Sequence, residues 1–213
     1  MDRYKETFET WNKVAELYEG KFMHMDIYNH TYDYLCNSVE KPNAKILEVG
    51  CGPGNVTKYL LNRRPDFKIS GIDIAPKMIE LAKKNNPVAN FAVMDCRQLE
   101  TIKKTYDAIV CGFCLPYLSQ ADCTKFIFNC YNLLHKNALL YISFVEGDSA
   151  ASGFQVGSSG NRVYFYYHDY NQIKDLLAKN NFYELKTFKI EYKRTETEQD
   201  SHTIIVARKN SLV

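Results

Sequence analysis

The chain has 213 residues, of which 46% are hydrophobic, and its 27 lysines and arginines nearly cancel 25 aspartates and glutamates. That length and apolar content suit one domain with a sizeable core. The small net charge argues against a partner chosen by bulk electrostatics, nucleic acid above all.

The opening MDRYKETFETWNKVAELYEG is too polar for a signal peptide, and no uncharged window reaches membrane-spanning length, so a soluble, cytoplasmic protein is expected. Between Tyr4 and Phe22, apolar residues at Phe8, Trp11, Val14, Ala15 and Tyr18 make one helical stripe. A second helical segment, 26–39, ends ahead of Pro42. AKILEV (44–49) is a short apolar run closed by glycines, which suits a strand buried on both faces.

From there the chain alternates. A helix is predicted over 55–65, a strand over 68–74, a helix over 76–85 opened by Pro76, and strands over 90–95 and 106–113. A helix over 119–136, with Ser119 and Asp122 at capping-box-like spacing, leads to a fifth strand over 138–146. Such alternation demands a parallel sheet with helical crossovers. After a helix over 170–181, the runs 182–193 and 202–209 flank a polar stretch like the arms of an antiparallel hairpin. The expected fold is a doubly wound α/β domain whose seven-stranded sheet is mostly parallel and ends in that hairpin.

The seven cysteines lack the clustered pairs of a disulfide framework and read as reduced thiols. Cys111 and Cys114 have CxxC spacing, but neither a second CxxC nor a nearby histidine pair completes a zinc site, so no metal is expected.

The chemistry concentrates at ILEVGCGPGN, Ile46 to Asn55. Glycines at 50, 52 and 54 strip side chains from a strand-to-helix turn, so the backbone can approach a ligand closely. The Gly-x-Gly-x-Gly spacing differs from the pyrophosphate fingerprint, and Glu48 would repel a phosphate, so a cationic ligand is preferred. Asp73, about 20 residues on, ends the second strand where a carboxylate can accept ribose hydroxyls. Asp95 ends the third strand, placed to accept from an exocyclic amine such as that of adenine.

Together, ILEVGCGPGNVT, GIDIAPKMIELAKK, FAVMDCRQL and YDAIVCGFCLPYLS resemble the successive motifs of class I S-adenosylmethionine-dependent methyltransferases. The resemblance covers roughly residues 44–145. It implies that Gly50, Cys51 and Gly52 meet the methionine part of the cofactor and that Asp73 holds the ribose. Asp95 and Cys96 would frame the adenine, and Cys111 and Gly112 would lie beside the sulfonium. Tyr18, Glu48, Ile74 and Met78 complete the implied cofactor set. Ala75 departs from the pattern, since relatives often carry a helix-capping serine there.

On this reading residues 1–213 form one domain: a helical cap (1–41), a cofactor-binding core (42–146), and a lid with the C-terminal hairpin (147–213). Direct displacement from a sulfonium mainly requires positioning and exclusion of water. CGFCLPY after the fourth strand lacks the Asn/Asp-Pro-Pro-aromatic run of nucleic-acid amine methylation, which favours a small-molecule acceptor. The glycine-bearing stretch from Gly147 to Gly160 reads as a lid carrying Tyr164, Tyr166 and His168 to the pocket rim, with His168 and Tyr166 as candidate catalytic groups. A nicotinamide-dependent oxidoreductase and a non-catalytic S-adenosylmethionine-binding domain are the alternatives.

Overall fold

The computed structural model describes residues 2–157, 160–194 and 196–210. Strands β1 (Lys45–Val49), β2 (Lys68–Asp73), β3 (Asn90–Val93), β4 (Tyr106–Cys111) and β5 (Leu134–Val145) lie parallel. The hairpin β8 (Phe182–Lys193) and β9 (Gln199–Lys209) joins antiparallel beside β5, giving the order β3-β2-β1-β4-β5-β9-β8. The expected mostly parallel sheet with an antiparallel end is therefore the observed one.

Two-residue periodicity divides the core. Ile46, Ala108, Val110, Leu139 and Tyr141 face the layer of α3 (Asn29–Ser38) and α4 (Asn55–Arg63). Leu47, Ile109, Cys111, Leu140 and Ile142 face α6 (Gln120–Leu133) and α7 (Tyr170–Lys179). Each leucine or isoleucine buried this way contributes about 1.5–3 kcal/mol. The strand order reverses between β1 and β4, and the crevice beyond their carboxyl ends is where an open α/β sheet takes its ligand.

Three boundaries differ from expectation. The N-terminal helix is two, α1 (Arg3–Lys13) and α2 (Ala15–Phe22), broken at Val14, where φ is −98° and ψ 14°. The halves dock differently: α1 lies on β7 (Arg162–Phe165) and on α5 (Pro76–Asn85), whereas α2 lies on α5. Helix α6 stops at Leu133 and β5 begins at once, four residues earlier than expected, with Asn137 at a φ of 60°. The 147–160 stretch, expected as a loop, holds a short 3₁₀ turn (Ser149–Ala151) and β6 (Gly153–Val156), which pairs with β7 in a separate two-stranded sheet. Ser158 and Ser159 of that stretch lie outside the described residues.

Ala75 has no side-chain oxygen for the start of α5, and two other residues take over. Asp73 Oδ1 accepts from Ala75 N at 2.9 Å, and Asn12 Oδ1 on α1 accepts from Lys77 N at 3.0 Å. Helix α5 is thus capped from another helix. Asn12→Ala should cost about 1 kcal/mol, and a melting curve should shift down by roughly 2–4 °C. An unchanged melting temperature would show the cap to be idle.

Candidate active site

The turn after β1 is tied down before it can hold anything. Gly50 N and Cys51 N both donate to Ile72 O, at 2.8 and 3.0 Å, and Asp73 Oδ2 accepts from Gly52 N at 2.9 Å. Gly52 has a φ of +52°, and a Cβ there would meet Tyr18 Cε1 at an ordinary contact distance of 3.7 Å, while its backbone lines open space beyond the turn. Gly54, at a φ of +83°, serves packing: a Cβ would lie 2.4 Å from Asn86 Nδ2 and 3.3 Å from Ala82 Cα.

That open space is a cleft, partly open to solvent, beyond the carboxyl ends of β1 to β4. It brings together Tyr18, Gly50, Gly52, Asp73, Ile74 and Met78 with Asp95, Cys96 and Gly112, nine of the residues singled out from the sequence. Asp73 reaches it half-buried, and burial raises its carboxyl pKa against the lowering effect of the backbone N–H groups it accepts from. Asp95 reaches it already engaged. Arg97 Nε and its terminal nitrogen donate to Asp95 Oδ2 at 2.9 and 2.6 Å, and Arg97 N donates to Oδ1 at 2.8 Å. A ligand amine there meets the edge of an ion pair and not a free carboxylate.

Glu48, Cys51 and Cys111 do not line the cleft. Glu48 is 2% exposed, accepts from Thr57 Oγ1, and is pushed by desolvation up to about 8. Its carboxyl is therefore mostly neutral near pH 7 and exerts less charge on a ligand than a free carboxylate would. Cys51 packs with Ile79, Ala82 and Phe91, and Cys111 is sealed in the core toward α6. Burial raises both thiols. The neighbouring thiols Cys96 and Cys114 do line the cleft, with sulfurs 3.6 Å apart.

Tyr166 and His168 are not at the cleft rim either. His168 is 6% exposed, with Nε2 at 2.9 Å from Leu115 O and 3.8 Å from Cys123 Sγ. It is neither a surface cap nor turned to the opening; Asp169 caps α7 through Gln172 N at 2.9 Å. Tyr166 packs on Tyr164 and beneath Arg3. Tyr164 N donates to Thr7 Oγ1 at 2.9 Å. The β6–β7 hairpin therefore supports α1 from behind, and α1 covers the cleft.

Sequence reasoning missed Tyr4, Phe8, Arg97 and Tyr117 as wall residues. Trp11 meets Tyr18 and Tyr117 edge-on, with centroids 5.5 and 5.4 Å apart. It is also the chain's one tryptophan. Intrinsic fluorescence should consequently change in a saturable way as the cleft fills with S-adenosylhomocysteine, and a flat titration would place that ligand elsewhere.

Comparison with known proteins agrees with this geometry. Residues 46–137 match a family described as "Methyltransferase domain". A malonyl-[acyl-carrier protein] O-methyltransferase from Ilyobacter polytropus is 30% identical over 166 residues, covering 76% of this chain and 54% of that protein. The chain spans about half the length of the curated relatives it matches. Among solved structures, the magnesium protoporphyrin IX methyltransferase of Synechocystis PCC 6803 with bound S-adenosylhomocysteine superposes with a TM-score of 0.72 at 18% identity, covering 98% of this chain and 100% of that one. The [4+2]-cyclase SpnF gives 0.67 at 15% identity, covering 85% of this chain and 80% of its own, so the fold by itself does not name a reaction.

Proposed function

We propose that the chain, whose residues 46–137 match the family described as "Methyltransferase domain", binds S-adenosylmethionine in the cleft and transfers its methyl group to a small-molecule acceptor. The observation that carries this reading is the convergence of Gly50, Gly52, Asp73, Asp95, Cys96 and Gly112 on one cleft from four strand ends. When bound, S-adenosylmethionine supplies an electrophilic methyl on a cationic sulfur. The chain's own residues fit such a molecule. Gly52 turns bare backbone toward it, Asp73 offers remaining lone pairs to ribose hydroxyls, and Ile74 and Met78 give apolar contact for a flat base. Trp11 and Tyr18 exclude water from the reacting atoms.

Within this proposal the parts of the 213-residue chain work as one unit, the N-terminal helices closing over the core and the β6–β7 hairpin bracing them. Cytoplasmic residence fits the seven free thiols, and no helix among the described residues is long and apolar enough to cross a membrane. Native mass spectrometry of the purified chain should find the mass of S-adenosylmethionine or S-adenosylhomocysteine. Incubation of a metabolite extract with methyl-labelled S-adenosylmethionine should then label a small molecule. Label recovered only in protein or nucleic acid would overturn the acceptor class.

A further inference from the structure

The CxxC spacing of Cys111 and Cys114 resolves into a different pair. Cys114 Sγ donates to Cys96 Sγ at 3.6 Å, and both thiols line the cleft, half-buried. Cys111, the other neighbour of Cys114, is 0% exposed and faces α6. Cys36, Cys51, Cys123 and Cys130 are buried as well. A reagent entering the cleft therefore meets Cys96 and Cys114 and none of the other thiols.

The two stand beyond different strand ends. Cys96 opens the 3₁₀ turn Cys96–Thr101 after β3, and Cys114 precedes the 3₁₀ turn Leu115–Tyr117 after β4. Neither lies in a strand, so no ladder hydrogen bond has to break for their side chains to turn toward each other. A disulfide needs its sulfurs about 2.05 Å apart, so these must close by about 1.5 Å. Turning about the Cα–Cβ bonds moves sulfurs over such distances.

Burial slows that bond without opposing it. The hydrogen bond from Cys114, together with desolvation, holds the Cys96 thiol well above its ordinary value, and the contact with Cys111, together with desolvation, does the same to Cys114. Attack on an oxidant is slower for it, since the thiolate is the nucleophile. The equilibrium is a separate matter, because dithiol and disulfide are both neutral and desolvation penalises only charge.

The bond would reshape the wall of the cofactor site at both ends. Cys114 rests on the glycine turn, where a Cβ on Gly50 would stand 2.9 Å from Cys114 Cβ and 3.2 Å from its Sγ. That turn cannot retreat freely, since Gly50 N and Cys51 N are bonded to Ile72 O. Cys96 follows Asp95, whose carboxylate is fixed by Arg97. Drawing the sulfurs together shifts Cys114 against the turn and Cys96 beside Asp95, in packing too dense to absorb it locally.

We propose that Cys96 and Cys114 are a redox-modified pair: hydrogen peroxide converts them to a disulfide, and the disulfide form of the chain binds S-adenosylmethionine more weakly. The modification stands on the thiol geometry; its effect on the cofactor rests on the methyl-transfer reading above. One sulfur attacks a peroxide oxygen, the O–O bond breaks, and a sulfenic acid and one water result. The second sulfur then displaces that oxygen as a second water and the S–S bond forms. Two thiols are oxidised and one peroxide is reduced, and thiol–disulfide exchange with glutathione restores the dithiol.

The wild-type chain, held in glutathione buffers of graded potential until its thiol content is constant, should yield a Cys96–Cys114 crosslink on peptide mapping. Hydrogen peroxide should form the same crosslink, more slowly with S-adenosylhomocysteine bound. Calorimetry should show S-adenosylhomocysteine binding at least about tenfold weaker to the oxidised than to the reduced protein. By reciprocity, saturating S-adenosylhomocysteine should raise the pair's midpoint potential, by about 30 mV for a tenfold difference. Cys96→Ser should show no disulfide at any potential. Cys111→Ser should keep both the crosslink and the tenfold difference, and it carries the test should Cys96→Ser fail to fold. No crosslink across the series, a Cys111–Cys114 crosslink in its place, or equal affinity of the two wild-type forms overturns the proposal. Reduced wild type that does not bind S-adenosylhomocysteine overturns the reading beneath it.

Discussion

Asp73→Ala should weaken S-adenosylhomocysteine binding roughly 10- to 150-fold, the equivalent of one hydrogen-bonded charged group at about 1.5–3 kcal/mol. Two effects combine in that expectation. In the proposed complex the carboxylate accepts from the ribose, and it also fixes the turn by accepting from Gly52 N and Ala75 N, both at 2.9 Å. Asp73→Asn keeps one acceptor oxygen and should be milder. Calorimetric titration of the three proteins separates the cases, read beside their melting temperatures. If Asp73→Ala binds like wild type, the ribose is held elsewhere. If both variants melt early and bind equally poorly, the carboxylate serves the turn alone.

The second large effect is on the fold. Gly54→Ala should destabilise the chain by about 3 kcal/mol, combining a left-handed alanine at about 1–2 kcal/mol with a disturbed buried hydrogen bond at about 1–3 kcal/mol. Asn86 cannot simply move aside, since it is 4% exposed and its Nδ2 donates to Gly54 O at 2.9 Å. Behind it stands the Ala82 backbone, with Cα 3.3 Å from the added Cβ. At about 2–4 °C per kcal/mol for a chain of this size, the melting temperature should fall by roughly 6–12 °C. Gly20 supplies the contrast. It lies within α2 with nothing within 4 Å of an added Cβ, so Gly20→Ala should stabilise by about 0.5–1 kcal/mol. Equal shifts for the two substitutions would contradict the packing account of Gly54.

What could be read in advance was what short-range pattern encodes. The strands show because both their faces are buried, and the glycine turn, Asp73 and Asp95 show because they stand at strand ends, where a ligand must come. The same two-residue period turns Cys111 away from the cleft toward α6, which motif order alone does not reveal. The stripe of Phe8 and Trp11 announces a buried helix face, which packs against Ala15, Ala75 and Met78 and also walls the cleft, and that placement depends on β7 and α5 bracing α1. Asp95 looks like a free acceptor until Arg97, two residues on, folds back onto it. His168 illustrates the limit most plainly. It follows an aromatic run, and only the fold shows it sealed against Leu115.

The most direct test of the central claim is a calorimetric titration of the wild-type chain with S-adenosylhomocysteine and, separately, with NAD. Saturable one-to-one binding of S-adenosylhomocysteine is expected, weakened roughly 10- to 150-fold in Asp73→Ala, with no heat from NAD. Binding of NAD with no response to S-adenosylhomocysteine would contradict it.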